Sequence, residues 1–240
     1  MASSYSTNAQ LEIIATGEKA GQWGGITNTN LQILEQTSTG VLDVDISAAS
    51  STLVLTDGAT STGKNIYLRL YGTLAASRTV TMPVTAERVW IMKDDTVRGA
   101  SNYTVGVLNA SGTTQPIPPG ATVLCKSNGS ETVVSIIEKG YETITDANSP
   151  YTVVAGAQIL ANTTSTVITV TLPAAAATGD EVTIIDARGT WGSNNLTVGR
   201  NGLKINSGTD DLTLSNNGQS ITLVYVDATR GWAYKTNYTS

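Results

Sequence analysis

Between residues 79 and 223 the chain spells one series of segments twice, in the same order. The first series is Thr79-Val80-Thr81-Met82-Pro83, Glu87-Arg88-Val89-Trp90-Ile91, Asn102-Tyr103-Thr104-Val105-Gly106 and Gly120-Ala121-Thr122-Val123-Leu124. The second is Thr169-Val170-Thr171-Leu172-Pro173, Asp180-Glu181-Val182-Thr183-Ile184, Asn195-Leu196-Thr197-Val198-Gly199 and Gly218-Gln219-Ser220-Ile221-Thr222-Leu223. The separation drifts only from 90 to 98 residues, which a few loop-length differences explain. This predicts two tandem modules of about 100 residues, each large enough to bury a modest core. Duplicated modules behind a different head describe a built object more than a catalyst.

The modules read as strand after strand. Val41-Leu42-Asp43-Val44-Asp45-Ile46 alternates, and Ile66-Tyr67-Leu68-Arg69-Leu70, Arg88-Val89-Trp90-Ile91-Met92, Val182-Thr183-Ile184-Ile185 and Ile221-Thr222-Leu223-Val224-Tyr225-Val226 follow as further strand runs. The 38 threonines suit this reading, because a β-branched hydroxyl side chain fits a pleated surface and stays soluble. Asn128-Gly129, Asn201-Gly202 and Asn217-Gly218 signal tight turns that need positive φ. Pro83 and Pro173 close strands where a missing N–H is harmless. Short strands at regular spacing predict an all-β protein, with an antiparallel, jelly-roll-like β-sandwich over residues 41–140 and another over 141–240.

Residues 1–40 differ. The first ten are polar, expected to be mobile or draped on a partner. A glycine-rich stretch around Trp23 follows, and then the one convincing helix, Asn28 to Gln36. Asn28 is placed to cap it, Leu31 and Leu34 share a face, and Gly40 ends the segment. A helix of about nine residues is marginal alone, so it must pack on something. Its own β modules and a separate protein are both open as the surface it packs on.

Charge and residue usage exclude much. A net charge of −5, with the 14 Lys and Arg scattered singly, argues against a nucleic-acid partner. No run of 18 apolar residues exists, so no membrane insertion is expected. The N-terminus lacks a basic start and apolar run, so it does not read as a secretory signal. The single cysteine, Cys125, lies in an apolar run and reads as a small buried hydrophobe. There is no histidine, which removes His-based nucleophile systems, metal sites and proton shuttles together.

Three weaker signals remain. Gly58-Ala59-Thr60-Ser61-Thr62-Gly63-Lys64 has the spacing of a phosphate-binding loop. Asn65 follows where a hydroxyl should reach Mg²⁺, and a strand pattern follows where a helix should begin, so a polar hairpin loop is expected. Glycoside hydrolysis needs two carboxylates, with Asp94 and Asp95, Asp180 and Glu181, or Asp210 and Asp211 as candidates, yet all lie in expected turns. Trp191 and Trp232 sit beside glycines, where a ring covers a core edge or contacts a glycan or a neighbouring subunit. No catalytic residues, metal ligands or cofactor are expected.

Thr16-Gly17-Glu18-Lys19-Ala20-Gly21-Gln22-Trp23-Gly24-Gly25-Ile26-Thr27-Asn28-Thr29-Asn30-Leu31 resembles a stretch recurring in tail and fibre proteins of tailed bacteriophages, especially marine and cyanobacterial phages. The modules, with Leu172-Pro173, Gly179-Asp180 and Val224-Tyr225-Val226-Asp227-Ala228-Thr229-Arg230-Gly231-Trp232, are similar to repeated β domains of the same proteins. The resemblance implies a non-enzymatic virion component, assembled in the host cytoplasm, usually a homotrimer. It implies a short fibre or appendage that aids host attachment, anchored to portal, tail or capsid proteins through its N-terminus. The anchoring residues would be Trp23, Gly24, Ile26, Asn28, Asn30, Leu31 and Leu34. A tail module binding host-surface glycan, and a capsid decoration or adaptor protein, are the alternatives. Threefold packing would also cover the edge strands that a Thr-rich sandwich exposes.

Overall fold

The computed structural model describes residues 3–99, 102–109 and 112–238. These contain one α-helix and twenty strands, and they form two compact units. The first comprises Met1–Val97, Thr104–Ile117 and Thr122–Ile137; the second comprises Arg98–Tyr103, Pro118–Ala121 and Glu138–Ser240.

The first unit opens with β1 (Ser4–Tyr5) paired antiparallel with β2 (Glu12–Ile13), then α1 (Trp23–Thr39). Next come β3 (Val41–Asp45), β4 (Ser51–Thr52), β5 (Tyr67–Thr73), β6 (Arg78–Thr81), β7 (Glu87–Val97) and β8 (Val105–Leu108). Consecutive strands fall in different sheets. β3, β5 and β7 stack in parallel in one sheet, and β4, β6 and β8 stack in parallel in the other. Each pair, β3 with β4, β5 with β6, β7 with β8, is therefore one coil of a β-solenoid. Three antiparallel strands close the unit: β9 (Thr114–Ile117) on β8, β10 (Thr122–Asn128) on β7, and β11 (Thr132–Glu138) on β10.

The second unit repeats this order with β12 (Tyr141–Ile144), β13 (Tyr151–Thr152), β14 (Gln158–Ala161), β15 (Ile168–Thr171), β16 (Glu181–Asp186) and β17 (Leu196–Gly199). β12, β14 and β16 are parallel in one sheet, and β13, β15 and β17 in the other. Antiparallel β18 (Leu212–Leu214), β19 (Ser220–Asp227) and β20 (Gly231–Tyr238) close it.

This overturns the expected pair of antiparallel, jelly-roll-like sandwiches. Each unit forms a β-solenoid of three coils instead. Alternation every second residue says that a strand has a buried face, but not which strand lies beside it or in which direction. The Asn-Gly turns belong to the closing antiparallel strands: Asn128-Gly129 joins β10 to β11, Asn201-Gly202 follows β17, and Asn217-Gly218 precedes β19. Extending that hairpin signal to every connection produced the error. Coils start at Val41, Tyr67 and Glu87, and at Tyr141, Gln158 and Glu181. Such uneven spacing leaves no short period in the sequence to reveal a solenoid.

The duplicated segments fall on matching strands, with the register adjusted. Val80 and Val170 are equivalent on β6 and β15. On β7 and β16, ladder pairing makes Met92 equivalent to Ile184 and Trp90 to Val182. The wording of the sequence, which sets Val89 against Val182, is one residue out. One place in a strand exchanges its faces, so Val89 is exposed while Val182 is buried.

In each unit the core lies between the two sheets. Leu68, Leu70, Val80, Trp90, Met92, Val107, Val123 and Cys125 are buried in the first. Ile159, Val170, Ile184, Trp191, Val198, Leu223 and Trp232 pack together in the second. Burying each such side chain stabilises by about 1.5–3 kcal/mol.

Candidate functional site

Helix α1 is nearly twice the expected length, running from Trp23 to Thr39. Sequence reasoning began it at Asn28, read as the N-cap, whereas the helix runs on through Gly24 and Gly25, each of which lowers helix propensity by about 1 kcal/mol. Asn28 is in fact exposed inside the helix, and Gln22 stands at its start without a side-chain cap bond. Packing overrides propensity here. Ile33 is fully buried. Asn30, one turn earlier on the same side, clasps the Glu12 backbone: its Oδ1 accepts from the Glu12 N–H at 3.0 Å and its Nδ2 donates to the Glu12 carbonyl at 2.9 Å. Gln36 Oε1 accepts from the Ser61 N–H at 3.2 Å.

The head is thus folded onto the first unit. The Gln10 carbonyl accepts from the Gly58 N–H at 2.8 Å, and the Asn8 side chain accepts from the Glu87 N–H at 3.2 Å. The first ten residues were expected to be mobile or draped on a partner; residues 1–2 lie outside the described residues, while Ser4–Tyr5 pairs with β2 and Asn8 and Gln10 bond to Glu87 and Gly58. Ile33 and Gln36, which hold the helix down, were missed; Ile33 had only its place opposite Leu31 and Leu34 to signal it.

The other face of α1 carries the candidate surface. Trp23, Thr27, Leu31 and Leu34 recur every three or four residues and so share one side. Trp23 is 64% exposed, Leu31 58% and Leu34 44%. Glu35 is the helix's only charged residue. Gly24 is exposed with open space around it, and Ile26 is half-buried. Of the seven expected anchoring residues, Trp23, Leu31 and Leu34 therefore form an outward apolar face, while Asn30 serves the fold.

Trp191 and Trp232 are fully buried, so neither offers a ring to a glycan or a second subunit. Trp232 meets Tyr225 edge-on at 5.6 Å between centroids. Gly231 permits this: its φ is +71°, and a Cβ there would lie 2.0 Å from the Lys204 carbonyl oxygen. The Trp191 backbone is held by Asp186, whose Oδ2 accepts from the N–H groups of Trp191 at 3.2 Å and Gly218 at 3.0 Å.

The phosphate-loop spacing is unrelated to phosphate. Lys64 is fully buried, and its ammonium donates to the carbonyl oxygens of Thr56 and Ala59, both at 2.7 Å. Burial holds its pKa below the ordinary lysine value, with the Arg88 charge adding to the effect. The loop is not a hairpin, since it joins β4 and β5, which lie in different sheets.

The carboxylate pairs do not assemble. Asp94 is buried and accepts from the Thr96 N–H and hydroxyl, while Asp95 faces the other way and is exposed. Asp180 accepts from the Ala177 N–H, and Glu181 pairs with Lys139 and Lys235. Asp211 accepts from the Arg200 N–H. A groove of about 290 Å³ on the first unit, lined by Glu87, Arg88, Val89, Lys126, Ser127 and Asn128, holds a single carboxylate where glycoside hydrolysis needs two. Among the described residues no group of three or more His, Cys, Asp or Glu could hold a metal ion, and no helix is long and apolar enough to cross a membrane.

Neither a family model nor a curated protein matches the chain. A solved structure described as "Structure of a chaperone-substrate complex" aligns with a TM-score of 0.39 and 15% identity, covering 82% of this chain and 32% of that one. This chain spans about a third of that chain's length. A likeness at this level carries no argument about fold or activity.

Proposed function

We propose that this protein is a structural, non-catalytic component of a tailed-phage particle. It is a short fibre or appendage whose N-terminal segment docks on other virion proteins and whose β-solenoid units aid host attachment. The observation that carries this reading is the outward face of α1. A soluble helix normally turns its apolar side inward. Here Ile33 satisfies the core, and Trp23, Leu31 and Leu34 are left facing solvent on the segment whose sequence resembles phage tail proteins. A rigid aromatic beside two leucines, on a helix whose single charge is Glu35, is close to the composition of an interface centre.

The test is a triple variant, Trp23→Ser with Leu31→Ser and Leu34→Ser, introduced into the phage. The protein should fold as the parent does by circular dichroism and be missing from purified particles. Particles that still incorporate it would refute the docking role. Truncation of the head is the blunter experiment, because it also removes Ile33 from the core. The glycan-binding alternative has lost Trp191 and Trp232 as its carriers. Imaging labelled particles separates a tail appendage from a capsid decoration or adaptor.

A further inference from the structure

Strand β11 is the edge of its five-stranded sheet. Edge strands invite pairing with another chain unless charge, proline or a covering element blunts them. The opposite edge, β3, carries Asp43 and Asp45, with Asp43 paired to Arg69 at 2.7 Å. β20, an edge of the second unit, carries Lys235, which is paired with Glu181. β11, Thr132-Val133-Val134-Ser135-Ile136-Ile137-Glu138, has no lysine or proline, and its one charge is at the end. Val133 is 55% exposed, Ile136 40% and Ile137 57%.

The backbone of β11 is only half covered. The Glu131 carbonyl accepts from the Asn128 N–H within the β10–β11 turn, so odd-numbered residues face β10 and even-numbered residues face outward. On that outward side Gln115 acts as a one-residue substitute strand. Its Nε2 donates to the Thr132 carbonyl at 2.5 Å, and its Oε1 accepts from the Val134 N–H at 3.0 Å. Gln115 reaches no farther than Val134, and Ile136 lies beyond it.

We infer that β11 pairs antiparallel with β11 of a second copy about a twofold axis through Ser135. The sequence is self-complementary in that register. Val134 and Ile136 become the hydrogen-bonded partners, using outward-facing groups on both strands. Val133 stands opposite Ile137 on the solvent face, so the two most exposed apolar residues of each strand cover one another. An isologous contact of this kind closes on itself, which protects the edge without growing a fibre. The Gln115 amide competes for the same groups as the second strand and gives way when the copies pair.

Ser135 provides the test. At a non-hydrogen-bonded antiparallel position the two Cα atoms lie about 4.5 Å apart, within the range a disulfide spans. Cys125 is buried, so a single introduced cysteine is the reactive one. The full chain should sediment as a dimer. Ser135→Cys should form a covalent dimer under mild oxidation faster than the control Ser130→Cys, which is exposed in the β10–β11 turn. Ile137→Lys should remove the dimer and the cross-link while leaving the circular dichroism unchanged. Gln115→Ala should strengthen dimerisation by removing the competitor. A monomer at every concentration, cross-linking no faster than the control, or a trimer unaffected by Ile137→Lys would overturn the inference. The outcome is independent of whether the helix face docks on a particle.

Discussion

The ammonium of Lys64 lies 2.7 Å from the carbonyl oxygen of Thr56, with no part of the lysine exposed. The contact spans the loop between β4 and β5 and, with the Ala59 carbonyl, gives the buried ammonium two acceptors. Replacing Lys64 by Met keeps the length of the side chain and removes both charge-assisted hydrogen bonds. The expected loss of stability is about 1–3 kcal/mol, read from urea denaturation. A variant as stable as the parent would show that the loop does not depend on this contact.

The two faces of α1 should separate cleanly. Ile33→Ala opens a cavity beneath the helix and should cost about 2–5 kcal/mol. Leu31→Ser and Leu34→Ser, on the outward face, should stay within about 0.5 kcal/mol of the parent. Equal effects on both faces, measured by denaturant melts, would mean that the outward face is buried in solution.

Trp232→Ala should be among the most damaging changes in the second unit, at about 3–5 kcal/mol, because the ring is fully enclosed and meets Tyr225. It should leave binding to host polysaccharide unchanged in any variant that folds. Selective loss of glycan binding without loss of stability would restore the glycan role.

Cys125 sits in the middle of β10, opposite Trp90. Burial pushes its thiol pKa up to about 12, so little thiolate exists near neutrality. A thiol reagent should fail to label the native protein and should label it fully in denaturant. Rapid native labelling, followed by mass spectrometry, would contradict the burial.

Acid should weaken the fold in a defined window. Glu181 is held below its ordinary value of 4.5 chiefly by Lys235, with Lys139 contributing, and backbone N–H groups of Arg230 and Thr229 hold Asp227 below 3.8. Folded pKa values below unfolded ones mean that this stabilisation is complete above the ordinary values and lost as pH falls through the lower ones. Urea midpoints should therefore be flat from neutrality down to about pH 5 and decline below about pH 4. A decline that begins near neutrality would point to other groups.

Local features were legible in the amino-acid order, because short-range physics sets them. The strand runs that carry Leu68, Leu70, Ile184 and Leu223 were visible, and the apolar run around Cys125 marked it as buried. The duplication was visible because both copies need the same β-branched strands in the same order. The slip between Val89 and Val182 shows the limit of such matching, since similar wording can be set one residue out and only the ladder decides.

What tertiary structure alone decided was which segments meet. A strand pattern is the same whether the next strand turns back beside it or crosses to the opposite sheet, and only the stacking of β3, β5 and β7 distinguishes a solenoid from a sandwich. The fate of the tryptophans and of α1 has the same cause. Trp23 and Trp232 each adjoin a glycine, yet one ring is exposed and the other enclosed, because burial depends on neighbours brought from elsewhere in the chain. Chain order therefore determined strands, turns and repetition, and long-range contacts determined pairing, exposure and the face left open.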